Sequence, residues 1–340
     1  MTARRRAMVI VGVGIVATAA VVVATLVFLP SGGPVVAKPW RSHFRLATSA
    51  TDPISPNSDN YASRTRPASP LLLFLAATGH RPSDYRSFLS VARSSGYHVL
   101  ALDYWNTGLS VQKMCRTDPR CYGQVQRNRL DGSRPSSFSS VGRSNSIVNR
   151  LSVALDRLRK RDPNGGWNRY VGPGGIRWNR IVVAGHSQGG GEAAYIAHVH
   201  RVRGAVMFSS PVDSYDGLDA AWMARPGATA PSRLYGFVDT GDMFYRRVLA
   251  SWAALGMSQF GAPVSPGRLG SEGARSEAPH EIVTTRDLGG PDASHLRDIT
   301  DRTPRAADGT PVFARTWSWL LSQLYTAPGS TDTWKSIRTS

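Results

Sequence analysis

Residues 180–197 read Arg180-Ile-Val-Val-Ala-Gly-His-Ser-Gln-Gly-Gly-Gly-Glu-Ala-Ala-Tyr-Ile-Ala197. Ile181 to Ala184 is an apolar run of buried-strand length. Gly185-His186-Ser187-Gln188-Gly189 follows as a tight Gly-x-Ser-x-Gly turn, and a run of small residues then opens a helix. Glycine and serine are so frequent in this chain that the five-residue pattern alone decides little. The strand-type run before it and the helix-type run after it give it meaning. A strand-to-helix corner of this kind lifts the Ser187 hydroxyl into the open, and glycines at 185 and 189 leave the room that side chains would occupy. The free N–H groups of the following helix point at negative charge developing on a bound group.

Outward from this corner, strand-like and helix-like segments alternate. Leu71 to Ala76 reads as a central parallel strand, Pro82 to Ser94 as a helix and Tyr97 to Asp103 as a second strand. A long loop carrying Cys115 and Cys121 then leads to an amphipathic helix over Ser144 to Arg161. The helix after the corner runs to about His198, and Gly204 to Ser209 reads as a strand. Arg233 to Val238 is expected as a strand, Phe244 to Leu255 as a helix, Glu281 to Thr285 as a short strand and Val312 to Tyr325 as the terminal helix. The alternation implies an α/β fold with a mostly parallel central sheet and helices on both faces. Residues 38–69 read as an irregular lead-in with one edge strand near His43 to Ala47. Residues 70–340 form the main domain, and Gly/Pro/Ala-rich insertions at 210–232 and 256–280 are read either as a cap over the site or as surface loops.

The order of strand, glycine corner, helix, late acid and later histidine resembles the α/β-hydrolase superfamily over roughly residues 70–326. It is similar in particular to exported bacterial serine hydrolases with a Gly-His-Ser-Gln-Gly corner. The resemblance implies an esterase or lipase-like enzyme in which Ser187 is the nucleophile, activated by a histidine and a carboxylate. His295 follows the last strand and precedes the terminal helix, where the family's base belongs; His280, before that strand, is the fallback. The acid is Asp242 or Asp239 in Phe237-Val-Asp-Thr-Gly-Asp-Met243, with Asp242 preferred and the other expected to cap the helix near Phe244. The oxyanion donors are the N–H groups of Gln188 and Thr78. Relatives carry His-Gly or Pro-Gly where this chain has Ala76-Ala77, which puts the geometry of the second donor's loop in question. His186 is expected in the packing around the corner, His198 and His200 at a helix end, and His80 near the pocket or exposed.

Composition bounds the alternatives. The 340 residues carry a formal charge of +18, almost wholly from arginine, with four lysines. The basic residues are scattered and not interleaved with aromatics, and no nucleic-acid module is visible, so a nucleic-acid partner is not expected. Arg4-Arg5-Arg6 precedes an uncharged run from Ala7 to Leu29, long enough as a helix to cross a bilayer with the rest of the chain outside the cytoplasm. Val35-Val36-Ala37 suits signal-peptide cleavage, whereas the length of the run favours an uncleaved anchor. Residues 1–37 are thus a signal peptide or signal anchor, giving a secreted or membrane-tethered protein. Cys115 and Cys121, the only cysteines, are expected to form a short-loop disulfide in an oxidising compartment. No metal site or cofactor is called for, and the partner is a small-molecule or lipid ester. A cell-envelope acyltransferase using the same residues and a catalytically idle binding protein on the same scaffold are the alternatives.

Overall fold

A computed structural model of the chain describes residues 40–47, 54–215, 217–270 and 278–326. The apolar run over 7–29 and the small-residue stretch at 35–37 expected to suit cleavage lie outside them. The central sheet has eight strands: β1 (Arg41–Phe44), β2 (Asn60–Ser63), β3 (Leu71–Leu75), β4 (His98–Leu102), β5 (Ile181–His186), β6 (Gly204–Phe208), β7 (Leu234–Asp239) and β8 (Glu281–Thr284). Their order is β1-β2-β4-β3-β5-β6-β7-β8. The pairs β1/β2 and β2/β4 are antiparallel, and all the others are parallel.

The five strands β3 to β7 are buried along their whole length and apolar apart from His98, His186 and Asp239 at their ends, because both faces of the sheet are covered. Side chains alternate between two cores with the period of a strand. Leu71, Leu73 and Leu75 join Ile181 and Val183 on one face, and Leu72 and Phe74 join Val182 and Ala184 on the other. Helices α3 (Pro119–Asp131), α4 (Ile147–Arg161), α5 (Gln188–Val199) and α6 (Tyr245–Ala254) bury residues in the first core. The second core takes α1 (Arg86–Ser94) and α8 (Ala314–Tyr325), the latter through Trp317, Leu320, Leu321 and Leu324 at helical spacing. The chain passes from β3 to β4 on one side and returns to β5 on the other. That reversal opens a crevice at the carboxyl ends of β3 and β5.

Two expectations give way, and the two insertions can be placed. The lead-in over 38–69 supplies two strands, since β1 and β2 extend the sheet beyond β4. The region between β4 and α4 is not one long loop. It holds α2 (Val111–Cys115) and α3, and the Cys115–Cys121 disulfide ties the two helices together. Of the two insertions, 210–232 packs against α3, where Ala221 N–H donates to the Pro119 carbonyl at 2.9 Å and Trp222 lies against Gly123. The described part of 256–280 runs beside the sheet edge instead: Val264 exchanges backbone hydrogen bonds of 3.0 and 2.9 Å with Glu281 and Val283.

Candidate active site

Ser187 stands at the junction of β5 and α5 with φ +51° and ψ −116°, a conformation that a residue with a side chain adopts only under strain. Its N–H donates to the Phe208 carbonyl at 2.9 Å, fixing the corner to β6. The glycines on either side are steric requirements. A Cβ at Gly185 would lie 2.1 Å from the Gly189 carbonyl oxygen, and one at Gly189 would lie 2.1 Å from that of Leu75. The turn can close against β3 only because both positions lack a side chain.

The fold brings His295 and Asp242 to this corner. Ser187 Oγ is 2.9 Å from His295 Nε2, and His295 Nδ1 is 2.9 Å from Asp242 Oδ2. His295 lies on a short helix, α7 (Pro291–Arg297), and not on open loop as expected. Ser187 and His295 each keep 8% of their surface exposed, while the Asp242 side chain behind them is shut off from water. The edge of the Phe244 ring, 5.2 Å away, packs on the His295 imidazole.

The two acids of the 239–242 turn divide the work differently from expectation. Asp242 faces the imidazole and also closes the turn that precedes α6, where its Oδ1 accepts from the Phe244 N–H at 2.7 Å; α6 itself begins without a side-chain cap. Asp239 does not cap the helix. Its Oδ1 accepts from the Gly241 N–H at 2.8 Å and so shapes the turn that carries Asp242, while burial pushes its carboxyl up.

Gln188 is the first residue of α5, so its N–H has no intrahelical acceptor. The Thr78 hydroxyl donates to Gln188 Oε1 at 2.7 Å, which brings the two expected oxyanion residues together. Among the described residues the Thr78 N–H meets no acceptor. The alanine at 77 leaves this loop well anchored. Asn106 Nδ2 donates to the Ala77 and His80 carbonyls at 2.6 and 2.8 Å, and its own carbonyl accepts from the Gly79 N–H at 2.9 Å. Asn106 and Tyr85, which holds the Ala77 N–H, give no local sequence signal of this role.

The other histidines are occupied elsewhere. His280 stacks between Tyr235 and Phe260, with ring centroids 4.3 and 4.0 Å away, and its Nδ1 is 2.6 Å from the Leu234 carbonyl. That is the amino end of β7, at the opposite end of the sheet from Ser187. His200 stacks on Trp178, His198 packs against Trp222, and His80 faces Asp84 at 3.1 Å. His186 is buried in the packing around the corner, where desolvation and then the nearby His295 pull its pKa well down. Among the described residues no group of three or more His, Cys, Asp or Glu side chains is arranged to hold a metal ion.

On the other side of α5's first turn lies a second buried group. Glu192 is fully enclosed, its carboxyl pushed up to about 8 chiefly by burial, and its nearest cation is Arg129 at 3.6 Å. Asp213 beside it accepts from Gln126 Nε2 at 3.2 Å and Trp222 Nε1 at 3.1 Å.

No protein-family model and no curated protein matches the chain. Among solved structures it is similar to an esterase from Pyrococcus furiosus, at 13% identity over 84% of this chain and 93% of that one, with a TM-score of 0.43. It is also similar to the esterase LipW from Mycobacterium marinum, at 17% identity over 85% and 83%, with a TM-score of 0.43. A Pyrococcus horikoshii acylaminoacyl peptidase matches at 11% identity over 86% of this chain and 43% of that one, with a TM-score of 0.42. Likenesses this distant bear on neither activity nor substrate. The strand order, the two antiparallel pairs at one edge and the serine corner after β5 are the chain's own features, and they are those of an α/β-hydrolase fold.

Proposed function

We propose that this protein is a serine hydrolase that cleaves carboxylic esters through an acyl-enzyme intermediate. The observation that carries the reading is the run Ser187 Oγ, His295 Nε2, His295 Nδ1, Asp242 Oδ2, with 2.9 Å at each hydrogen bond, on a strained corner at the carboxyl end of β5. Asp242 accepts a hydrogen bond from the Nδ1–H, which keeps the proton on Nδ1 and leaves Nε2 bare to take the hydroxyl proton as Oγ attacks the ester carbon. The carbonyl oxygen becomes an oxyanion, held by the N–H groups of Gln188 and Thr78. The imidazolium, stabilised by Asp242, returns its proton to the departing alcohol. Water then repeats the sequence on the acyl-enzyme, with His295 again as base. Each oxyanion donor is worth about 3 to 4 kcal/mol in the transition state of such reactions.

The reaction is read as extracytoplasmic. Arg4 to Arg6 before an apolar run of membrane-spanning length supports this, as does a disulfide between the only two cysteines. A small ester, or a lipid ester reached from a tethered position, is the substrate class.

A p-nitrophenyl ester series from short to long acyl chains, offered to protein lacking residues 1–37, tests the reading. At least one ester is hydrolysed, and His295→Ala abolishes turnover. Hydrolysis of none of the series, or wild-type rates in the alanine variant, contradicts it.

A further inference from the structure

Besides the turn that carries Asp242, the reacting groups come from three separate segments: the loop after β3, the corner between β5 and α5, and helix α7. One run of hydrogen bonds joins all three. The Ala77 N–H lies 3.1 Å from Tyr85 Oη, Tyr85 Oη lies 2.9 Å from His186 Nδ1, and His186 Nε2 lies 2.8 Å from the carbonyl oxygen of His295. Tyr85 and His186 are wholly enclosed.

Chemistry gives the run its direction. A carbonyl oxygen only accepts, so His186 Nε2 carries the proton and donates it. The neutral ring then has a bare Nδ1, the Tyr85 hydroxyl donates to it, and the Tyr85 oxygen is left to accept from the Ala77 N–H. The titratable neighbours agree with a neutral ring. His295 and His80 lie 5.1 and 6.4 Å away, centroid to centroid, and both oppose a charge on it. Asp298 Oδ1 stands 3.9 Å from Nε2, beyond hydrogen-bond reach, and burial pushes that carboxyl well up.

We propose that Tyr85 and His186 are positioning residues that set the oxyanion loop and the His295 backbone against the Ser187 corner without touching substrate. The inference rests on the reading of Ser187 and His295 given above. His186 adjoins Ser187 in the chain, so the nucleophile is the fixed point. Ala77 adjoins Thr78, so a hydrogen bond at its N–H sets where the neighbouring oxyanion donor sits. The third link holds the main chain of the base itself. Removing the Tyr85 hydroxyl leaves the Ala77 N–H and His186 Nδ1 without partners at one stroke, while the ring keeps its packing against Phe74.

The test uses the full chain in detergent, with rates expressed per site titrated by a fluorophosphonate, so that loss of folded protein does not enter. Tyr85→Phe lowers kcat by about 10- to 100-fold with KM changed less than about threefold, as expected for a displaced oxyanion donor. It also weakens a boronic-acid transition-state analogue in parallel, which a merely structural role would not do. His186→Gln keeps a donor for the His295 carbonyl but loses the acceptor for Tyr85, and the double variant is no worse than the poorer single one. Values of kcat and inhibitor affinity within about twofold of wild type, or losses that multiply in the double variant, overturn the inference. Histidine 15N NMR of the unaltered chain decides independently of how the variants fold. His186 stays neutral and protonated on Nε2 across the range in which an ordinary histidine titrates; a ring protonated on Nδ1, or one that titrates in that range, overturns the inference. A wild-type chain that turns over no ester defeats the proposed function itself, a result distinct from active wild type with indifferent variants.

Discussion

Two buried polar groups flank the first turn of α5. On one side, Ala77, Tyr85, His186 and the His295 carbonyl form a run in which both histidine nitrogens and the tyrosine hydroxyl are partnered. On the other, Gln126 Oε1, Arg129 Nε and Nη1, Gln188 Nε2 and both Glu192 carboxyl oxygens meet no hydrogen-bond partner among the described residues. Each unpaired buried polar atom costs about 1 to 3 kcal/mol. The first group therefore stiffens the site, while the second weakens the α3–α5 contact that supports it. Local opening is therefore expected more readily at the Arg129–Glu192 contact behind Gln188 than at the hydrogen-bonded run through Tyr85 and His186. The predictions below break or sharpen this contrast, beginning with the largest effect.

On the rigid side, Asp242→Asn keeps an acceptor for the Phe244 N–H but can present an amide N–H to His295 Nδ1. That favours the wrong tautomer, and kcat falls by about four orders of magnitude at nearly unchanged KM. Steady-state ester hydrolysis checks it; a loss smaller than tenfold removes Asp242 from the mechanism. Gly189→Ala sets a Cβ 2.1 Å from the Leu75 carbonyl oxygen and forces the corner off β3. Urea unfolding should show a loss of about 3 kcal/mol or more.

On the loose side the sign reverses. Replacing the pair together, Arg129→Met with Glu192→Leu, removes two poorly satisfied buried charge sites and stabilises the fold by about 1 to 4 kcal/mol. Either single substitution destabilises it. A double variant less stable than both singles would mean that the pair is a stabilising element after all.

Glu192 also gives a pH dependence. Burial raises its carboxyl from the ordinary 4.5 to about 8 in the folded chain, so the folded form holds a proton that the unfolded form releases. The stability tied to that proton is whole below the unfolded pKa and is lost as pH rises through about 8. The urea midpoint therefore declines between roughly pH 5 and pH 8, and Glu192→Gln flattens the decline. An unchanged slope in that variant contradicts the assignment.

Sequence periodicity alone exposes much of this molecule and hides the rest for identifiable reasons. The apolar runs at 71–76 and 181–184 are legible because strands buried on both faces carry no polar residues. The Ser187 corner is legible because its glycines are sterically required. His295 follows from chain order. β2 escapes and β1 is only partly located, by the edge strand expected near His43 to Ala47, because each has only four residues and mixes polar with apolar ones. α3 falls in a stretch that reads as loop although its signals are present: Asp118 accepts from the Arg120 N–H at 2.9 Å, Pro119 opens the helix, and Gly132 closes it in the left-handed conformation. Asp-Pro next to a cysteine suggests a loop until the cap is considered. The choice between Asp239 and Asp242 turns on three residues of a tight turn, finer than pattern resolves. Tyr85, Asn106 and Arg129 act through partners distant in the chain, and nothing local marks them.

Intact-mass spectrometry after brief exposure to a fluorophosphonate tests the central claim most directly, because it asks whether the Ser187 hydroxyl is activated. The account predicts a single adduct, mapped to Ser187 and lost when His295 is replaced by alanine. An unmodified chain, or an adduct on any other residue, would contradict it.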